Sequence, residues 1–217
     1  FYLGISFGFG FFLFGNYWIS ISLTHDEMFT NLIPFALILI PLFLSLFFGL
    51  AILLVGRFCE KKIYFILLFS LTFSIFEYLR GNIFTGFPWN LISYTWSSSS
   101  ESIQILSLIG SYSLSLISLT FFCIPFLFLQ KKIIRKNIIF FLFFLSLFTV
   151  NYFYGVYKIS NSDYTFDQSI NVKIISPNFS LKEYSINSEF DQLKRLIQIS
   201  EPEKDKKTLF IWPEGIF

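Results

Sequence analysis

Long apolar runs separated by short polar loops occupy roughly the first 155 residues of the chain, and this pattern predicts membrane-spanning helices. A helix needs about 20 mostly apolar residues to cross a hydrocarbon core about 30 Å thick. Five stretches meet this requirement, at about residues 1–23, 32–55, 63–79, 103–129 and 133–154. We therefore expect residues 1–155 to form a polytopic α-helical membrane domain of about five spans.

The polar segment that begins at about Lys158 has the periodicity of an α/β fold. Residues 169–175 alternate apolar and polar side chains as a strand does, and residues 208–212 form a second short apolar strand. Between them, apolar residues recur at helical spacing, at Phe190, Leu193, Leu196 and Ile197. We expect residues 156–217 to hold the first strand–helix–strand part of an α/β domain. So short a segment buries little surface, so we expect the rest of the domain to follow Phe217.

Composition agrees with a membrane environment and argues against other classes of protein. Hydrophobic residues make up 54% of the chain and charged residues 14%, whereas soluble domains carry about 25% charged residues. A net charge of +2 gives no reason to expect nucleic-acid binding. The two cysteines, Cys59 and Cys123, are not spaced as metal ligands or as a disulfide framework. We expect no metal and no cofactor.

The basic residues are distributed unevenly between the two sides of the membrane. Seven lie in the loops after the second and fourth expected spans, at Arg57, Lys61, Lys62, Lys131, Lys132, Arg135 and Lys136. The opposite loops carry Arg80 together with the acidic Asp26 and Glu27. The positive-inside rule places the seven in the cytoplasm. The C-terminal segment is therefore expected on the outer side, which is the periplasm in a Gram-negative cell.

The segment from Glu77 to Trp89 leaves the third span, enters an outer loop and forms a first candidate site. Glu77 and Arg80 are three residues apart, so they share a helix face and can pair. Charges at the end of a span are costly unless they are paired or face a cavity. Aromatic residues follow, at Phe84, Phe87, Trp89, Tyr94 and Trp96. They form either an interfacial belt beside a snorkelling Arg80 or the wall of a lipid-access site.

Glu214 forms a second candidate site because it directly follows a short buried strand and Pro213. Sites in open α/β sheets lie beyond the carboxyl ends of the strands, so Glu214 is placed where a general base would lie. A solvated loop glutamate fits the same pattern, since acid–base chemistry also needs a partner within hydrogen-bond reach.

Both segments resemble the apolipoprotein N-acyltransferase family. Leu-Arg-Gly at residues 79–81 and Phe-Thr-Gly-Phe-Pro-Trp at residues 84–89 are similar to the outer-loop motif of that family. Ile-Trp-Pro-Glu at residues 211–214 is similar to the end of a strand in its nitrilase-like domain. The glycine-rich stretch at residues 8–18 and Ser-Pro-Asn at residues 176–178 also match in order, with serine where the family has glutamine.

The resemblance implies an activity and a fold for the C-terminal part. The activity is transfer of an acyl chain from a phospholipid to the diacylglyceryl-cysteine of an apolipoprotein at the bacterial inner membrane, without a cofactor. The fold is a nitrilase-like α-β-β-α sandwich with a Glu-Lys-Cys triad. The resemblance makes the Cys the nucleophile, the Glu the general base and the Lys an oxyanion stabiliser.

Only one member of that triad maps onto this sequence, as Glu214. Cys59 falls on the cytoplasmic side and Cys123 inside a span, so neither is the expected nucleophile. The Lys and the Cys are expected after Phe217, so that the chain is a fragment that is inactive alone. Substrate binding is assigned to Trp18, Arg80, Phe87 and Trp89.

Two other functions stay open at the level of sequence. One is a membrane-anchored nitrilase-type amidase or acyltransferase with another acceptor. The other is a non-catalytic membrane protein that binds or transports a ligand. The nearly uncharged interiors of the expected spans count against transport, because transporters carry polar residues near the middle of the bilayer.

Overall fold

The computed structural model describes residues 1–57, 62–129, 135–162, 170–178, 188–203 and 207–213. The chain divides into two compact units, Phe1–Ser162 and Asp163–Phe217. Cys59 and Glu214 lie outside the described residues.

The first unit is helical. Its described part contains the helices α1 Tyr2–Asn16, α2 Trp18–Ser22, α3 Ile33–Val55, α4 Lys62–Asn82, α5 Leu106–Cys123 and α6 Arg135–Ser160. Short 3-10 helices occupy Glu27–Leu32, Ile92–Trp96 and Ile124–Phe128. Four helical stretches in this described part are long and apolar enough to cross a membrane: Glu27–Val55, Ile63–Asn82, Leu106–Phe128 and Arg135–Ser160. They confirm the second to fifth expected spans as apolar helices.

The first expected span, residues 1–23, corresponds to two helices and not to one. The apolar stretch divides at Tyr17 into α1, which has 15 residues, and α2, which has five. The hydroxyls of Ser20 and Ser22 donate hydrogen bonds to the carbonyls three residues before them, and Thr24 does the same. Such bonds compete with the regular helical pattern, which accounts for an α2 that ends at Ser22.

Glycines let α1 approach α3 closely. A Cβ atom at Gly4 would lie 2.7 Å from the carbonyl oxygen of Phe48, and one at Gly8 would lie 3.0 Å from the Cα atom of Ser45. Small residues at such contacts are how membrane helices gain packing without a hydrophobic driving force. Beside this contact, Phe12 and Phe48 are buried in a core that also includes Phe73 of α4. A second buried cluster lies elsewhere in the unit, formed by Ile66, Ile124, Leu127 and Phe144.

The second unit confirms the expected strand–helix–strand order. Its described part contains β1 Asn171–Ile174, α7 Glu189–Ser200 and β2 Thr208–Ile211. The strands pair in parallel with Asn171 opposite Thr208. Parallel strands need a crossover connection, and α7 lies in the connection between β1 and β2. The Ser188 side chain accepts a hydrogen bond from the backbone N–H of Asp191 and so caps α7.

One face of this small sheet is covered and the other is exposed. Leu196 of α7 is fully buried and packs with Ile175, Phe210 and Trp212. The opposite face consists of exposed apolar side chains, at Val172, Ile174, Leu209 and Ile211. The sequence predicted that so small a unit would leave apolar surface uncovered, and it does.

Candidate functional site: the C-terminal end of α4

Two charged side chains are buried near the C-terminal end of α4. Arg80 is 1% exposed and Glu77 is 2% exposed. Helical spacing places them on one face, and they are close enough to interact electrostatically. Hydrogen bonds join both residues to the loop that follows α4, and Glu77 also interacts with the Ser115 hydroxyl on α5. Glu77 and Arg80 therefore both anchor this loop to α4.

Arg80 holds the loop through its backbone carbonyls. Its Nη1 donates to the carbonyl oxygens of Phe87, at 2.9 Å, and Trp89, at 2.7 Å. The guanidinium carbon lies 5.0 Å from the centre of the Phe12 ring and 6.0 Å from that of Phe87. Cation–π contact of this kind is worth about 2 kcal/mol or more in a desolvated site. Arg80 thus joins α1, α4 and the loop.

Glu77 fastens the loop a few residues further on. Its Oε1 accepts a hydrogen bond from the backbone N–H of Ile92 at 3.1 Å. Because a buried carboxylate is costly unless it is paired and hydrogen-bonded, this contact and the nearby Arg80 together make its position tolerable. The two charged residues therefore fix the loop at residues 87, 89 and 92.

The loop turns sharply between these anchors. Phe84, Thr85, Gly86 and Asn90 have positive φ angles of 54°, 78°, 81° and 59°. A Cβ atom on Gly86 would collide with the carbonyl oxygen of Gly81, so glycine is required there. Positive φ is rare for non-glycine residues, and for a β-branched threonine it is an outlier. Strain of this kind persists where surrounding contacts over-determine the backbone.

The turn presents aromatic side chains at the surface of the bundle. Trp89 is 53% exposed and packs edge-on against Trp18 of α2, with 5.8 Å between ring centres. Phe87 is half-buried and packs on the Phe12–Phe73 core. The structure thus brings together the four predicted substrate-binding residues, Trp18, Arg80, Phe87 and Trp89. The predicted base, Glu214, belongs to the second unit and lies outside the described residues.

Sequence reasoning missed the serines that fasten the loop to α5. The hydroxyl of Ser115 accepts from the backbone N–H of Ser93 at 3.0 Å. The hydroxyl of Ser118 accepts from the indole Nε1 of Trp96 at 2.8 Å. Two serines three residues apart inside an apolar span share a helix face, and that spacing was the available signal.

Several buried polar atoms at this end of the bundle have no hydrogen-bond partner among the described residues: Asn16 Nδ2 and Oδ1, Glu77 Oε2, and Arg80 Nε and Nη2. Buried polar groups usually bond to protein or to ordered water. The site therefore contains buried donor and acceptor atoms beside the loop anchor that no described residue satisfies. The described residues contain no group of three or more His, Cys, Asp or Glu side chains arranged to hold a metal ion.

Four apolar helices of membrane-spanning length, with a charged anchor at the end of one of them, define the first unit as part of a polytopic membrane protein. Residues 1–124 match the family model for the apolipoprotein N-acyltransferase N-terminal domain. The chain belongs to this family.

Curated relatives match the chain along nearly all of its length. Apolipoprotein N-acyltransferase of Rickettsia prowazekii is 35% identical over 214 residues, which cover 98% of this chain and 42% of the relative. The Brucella melitensis protein of the same name is 31% identical over 220 residues, covering 98% and 41%. That of Rhodopseudomonas palustris is 26% identical over 221 residues, covering 97% and 41%. The chain spans about two fifths of the length of these relatives.

Proposed function

We propose that this chain is part of an enzyme that transfers an acyl chain from a membrane phospholipid to the α-amino group of a diacylglyceryl-cysteine on an apolipoprotein. The observation that carries the proposal is the exposed Trp18–Trp89 pair, held by buried Arg80 at the end of a membrane-embedded bundle. Curated relatives that match 98% of the chain bear the name apolipoprotein N-acyltransferase, which supports this chemistry.

The distribution of charge supports an outward-facing site. α6 begins with Arg135 and Lys136, which the positive-inside rule places in the cytoplasm. The outer end of α4 then lies on the opposite side, and the residues after α6 emerge there too. This assignment does not depend on whether α1 crosses the membrane. We assign the protein to the bacterial inner membrane, with the second unit in the periplasm, where exported lipoproteins are found.

The aromatic loop serves as the lipid-facing wall of the site. Tryptophan side chains favour the membrane interface because their rings are amphipathic, and the Trp18–Trp89 pair offers such a surface. Phe87 supplies apolar contact behind Trp89. Arg80 acts mainly as a positioning residue, because its Nη1 is committed to the carbonyls of Phe87 and Trp89.

The chemistry is assigned to a nitrilase-like domain that begins in residues 156–217. Glu214 accepts the proton of a cysteine thiol, and the thiolate attacks the ester carbonyl of the phospholipid. The ester C–O bond breaks, the lysophospholipid leaves with the proton, and a thioester forms. The α-amino group of the acceptor then attacks the thioester, which yields an amide and regenerates the thiol. The thiol and the lysine that stabilises the oxyanion are supplied by residues outside this sequence.

Replacement of Glu214 tests the assignment of the general base. We expect Glu214→Gln in the full-length protein to lower acylation of a diacylglyceryl-cysteine peptide by about 100-fold or more, since general-base catalysis contributes 10²–10⁴-fold. The measurement is mass-spectrometric detection of the acylated peptide in phospholipid micelles. Glu189→Gln, at an exposed carboxylate on α7, is the matched control and should retain activity. Near-normal turnover of Glu214→Gln would contradict the assignment.

A further inference from the structure

A groove between α5 and α6 lies apart from the aromatic loop and has no role in the proposed chemistry. It has a volume of about 340 Å³. Its walls are Ile105, Ile109, Leu114, Ile117, Leu147, Phe148, Val150, Asn151 and Tyr154. Ligand pockets for small molecules are typically about 300–1,000 Å³ in volume, so the groove has the size of a small-molecule site. A protein helix is about 10 Å in diameter and would need a longer surface than the groove offers.

At one end of the groove, α6 is fastened to the segment that leads into α5 and to the first turn of α5. The Asn151 amide donates to the carbonyl oxygen of Ser102 at 2.8 Å. Gly155, one turn later, packs so closely on the backbone of Glu101 that a Cβ atom would collide with its carbonyl oxygen. The Lys158 Nζ, three residues further on, donates to the hydroxyl of Ser107 at 2.6 Å. One face of α6 thus closes the outer end.

The helices are also packed together at the inner end, so the space between the two contacts is a true groove. Phe121 and Phe141 stack with 6.3 Å between ring centres. Between the two contacts, Gly110 has a φ of 74° and interrupts the regular geometry of α5. A Cβ atom at Gly110 would meet nothing within 4 Å. The kink displaces the first turn of α5, which carries Ile109 of the groove wall, from a straight path.

The polarity of the groove rises toward its outer end. The inner walls are aliphatic and aromatic, whereas Asn151 and Tyr154 lie toward the outer end of α6. Asn151 Oδ1 is buried and has no partner among the described residues. The Nζ of Lys158, which is half-buried and one turn after Tyr154 on α6, lies 6.0 Å from the centre of the Tyr154 ring. A cation above an apolar slot complements a lipid whose tails lie below an anionic headgroup.

We propose that this groove binds one acyl chain of an outer-leaflet phospholipid, whose phosphate contacts Lys158. The helices that form the groove are embedded in the bilayer, so phospholipid is the ligand at highest local concentration. Basic side chains near a membrane surface attract anionic lipid headgroups by about 1 kcal/mol each. The inference requires only that α5 and α6 span a membrane, and it does not depend on acyl transfer.

The test is native mass spectrometry of the full-length protein in detergent, titrated with phosphatidylglycerol or with diacylglycerol of the same chains. We expect Lys158→Gln to weaken binding of phosphatidylglycerol about fivefold, the equivalent of about 1 kcal/mol, and to leave diacylglycerol binding unchanged. Val150→Trp places a ring in the groove and should weaken binding of both lipids. Val156→Trp, on α6 but outside the groove walls, is the matched control and should bind as the parent protein does.

Two sets of outcomes overturn the inference. Unchanged phosphatidylglycerol binding in both Lys158→Gln and Val150→Trp would show that the groove is not a lipid site. Equal losses in Val150→Trp and Val156→Trp show nonspecific binding along α6. A parallel measurement on Glu214→Gln separates this inference from the proposed function, because that variant should lose acylation while it retains lipid in the groove.

Discussion

The loop after α4 and the C-terminal end of α6 are both fastened to the helical bundle by polar side chains, but by different means. The loop is held by Arg80 and Glu77, which are buried and bind backbone atoms. The end of α6 is held by a neutral amide and the half-buried Lys158. Removing a buried charge that is hydrogen-bonded to the backbone is more costly than removing a charge that is partly exposed to solvent. The loop anchor is therefore the more specific and the less tolerant of the two.

We expect substitution of Arg80 to cause the largest loss of unfolding free energy at either anchor. Arg80→Ala frees the carbonyls of Phe87 and Trp89 and removes a positive charge that favours the buried Glu77 carboxylate, so we expect a loss of about 3–5 kcal/mol in unfolding free energy. The measurement is denaturant unfolding in detergent micelles. Lys158→Gln at the other anchor serves as the contrast, and we expect it to change stability by about 0–1 kcal/mol. Similar losses in the two variants would refute the difference between the anchors.

A smaller effect is expected from the tight turn in the loop. Gly86→Ala introduces a Cβ atom against the carbonyl of Gly81 at a φ of 81°, so we expect a loss of about 1–3 kcal/mol. Gly10→Ala is a matched control because a Cβ atom at Gly10 meets nothing within 4 Å. That control should be neutral or more stable by up to about 1 kcal/mol, since alanine favours helices. Equal stability of the two variants would show that the turn relaxes freely.

The smallest effect should come from the indole that joins the loop to α5. Trp96→Phe removes the hydrogen bond to Ser118 but retains a ring to stack on Phe148, 4.7 Å away in the parent protein. We expect a loss of about 1 kcal/mol, the net value of one neutral hydrogen bond. A double-mutant cycle with Ser118→Ala measures the bond itself. A coupling energy near zero would mean that stacking alone holds Trp96.

The apolar pattern was sufficient to predict most of the helices and the strand–helix–strand unit. The predicted first span, residues 1–23, corresponds to α1 and α2, which end at Ser22 and are separated at Tyr17, a residue whose φ and ψ stay helical. The predicted first strand, residues 169–175, contains β1 at Asn171–Ile174, and the backbone N–H of Ile175 still donates to the carbonyl oxygen of Ile211 at 3.0 Å.

The site was only partly predictable. The spacing of Glu77 and Arg80 indicated that they share a helix face, and the aromatic residues after them indicated an interface. That the Arg80 guanidinium binds the carbonyls of Phe87 and Trp89 depends on a backbone reversal. The reversal uses positive φ at Phe84 and Thr85, and neither residue type favours that conformation. Tertiary contacts determine this backbone reversal, so no local sequence pattern could have predicted it.

The low burial of α6 has a consequence for how this protein can change over evolutionary time. Of the four membrane-length helices in the described chain, α6 is the least buried, and its buried positions are Asn137, Phe144 and Gly155. Its exposed positions carry mostly apolar side chains, and acyl chains accept any apolar side chain of similar hydrophobicity. Outside the groove walls, selection should therefore let leucine, isoleucine, valine and phenylalanine exchange freely wherever α6 faces lipid, while Gly155 resists replacement. The same surface is the natural place to attach a spectroscopic label without disturbing the loop.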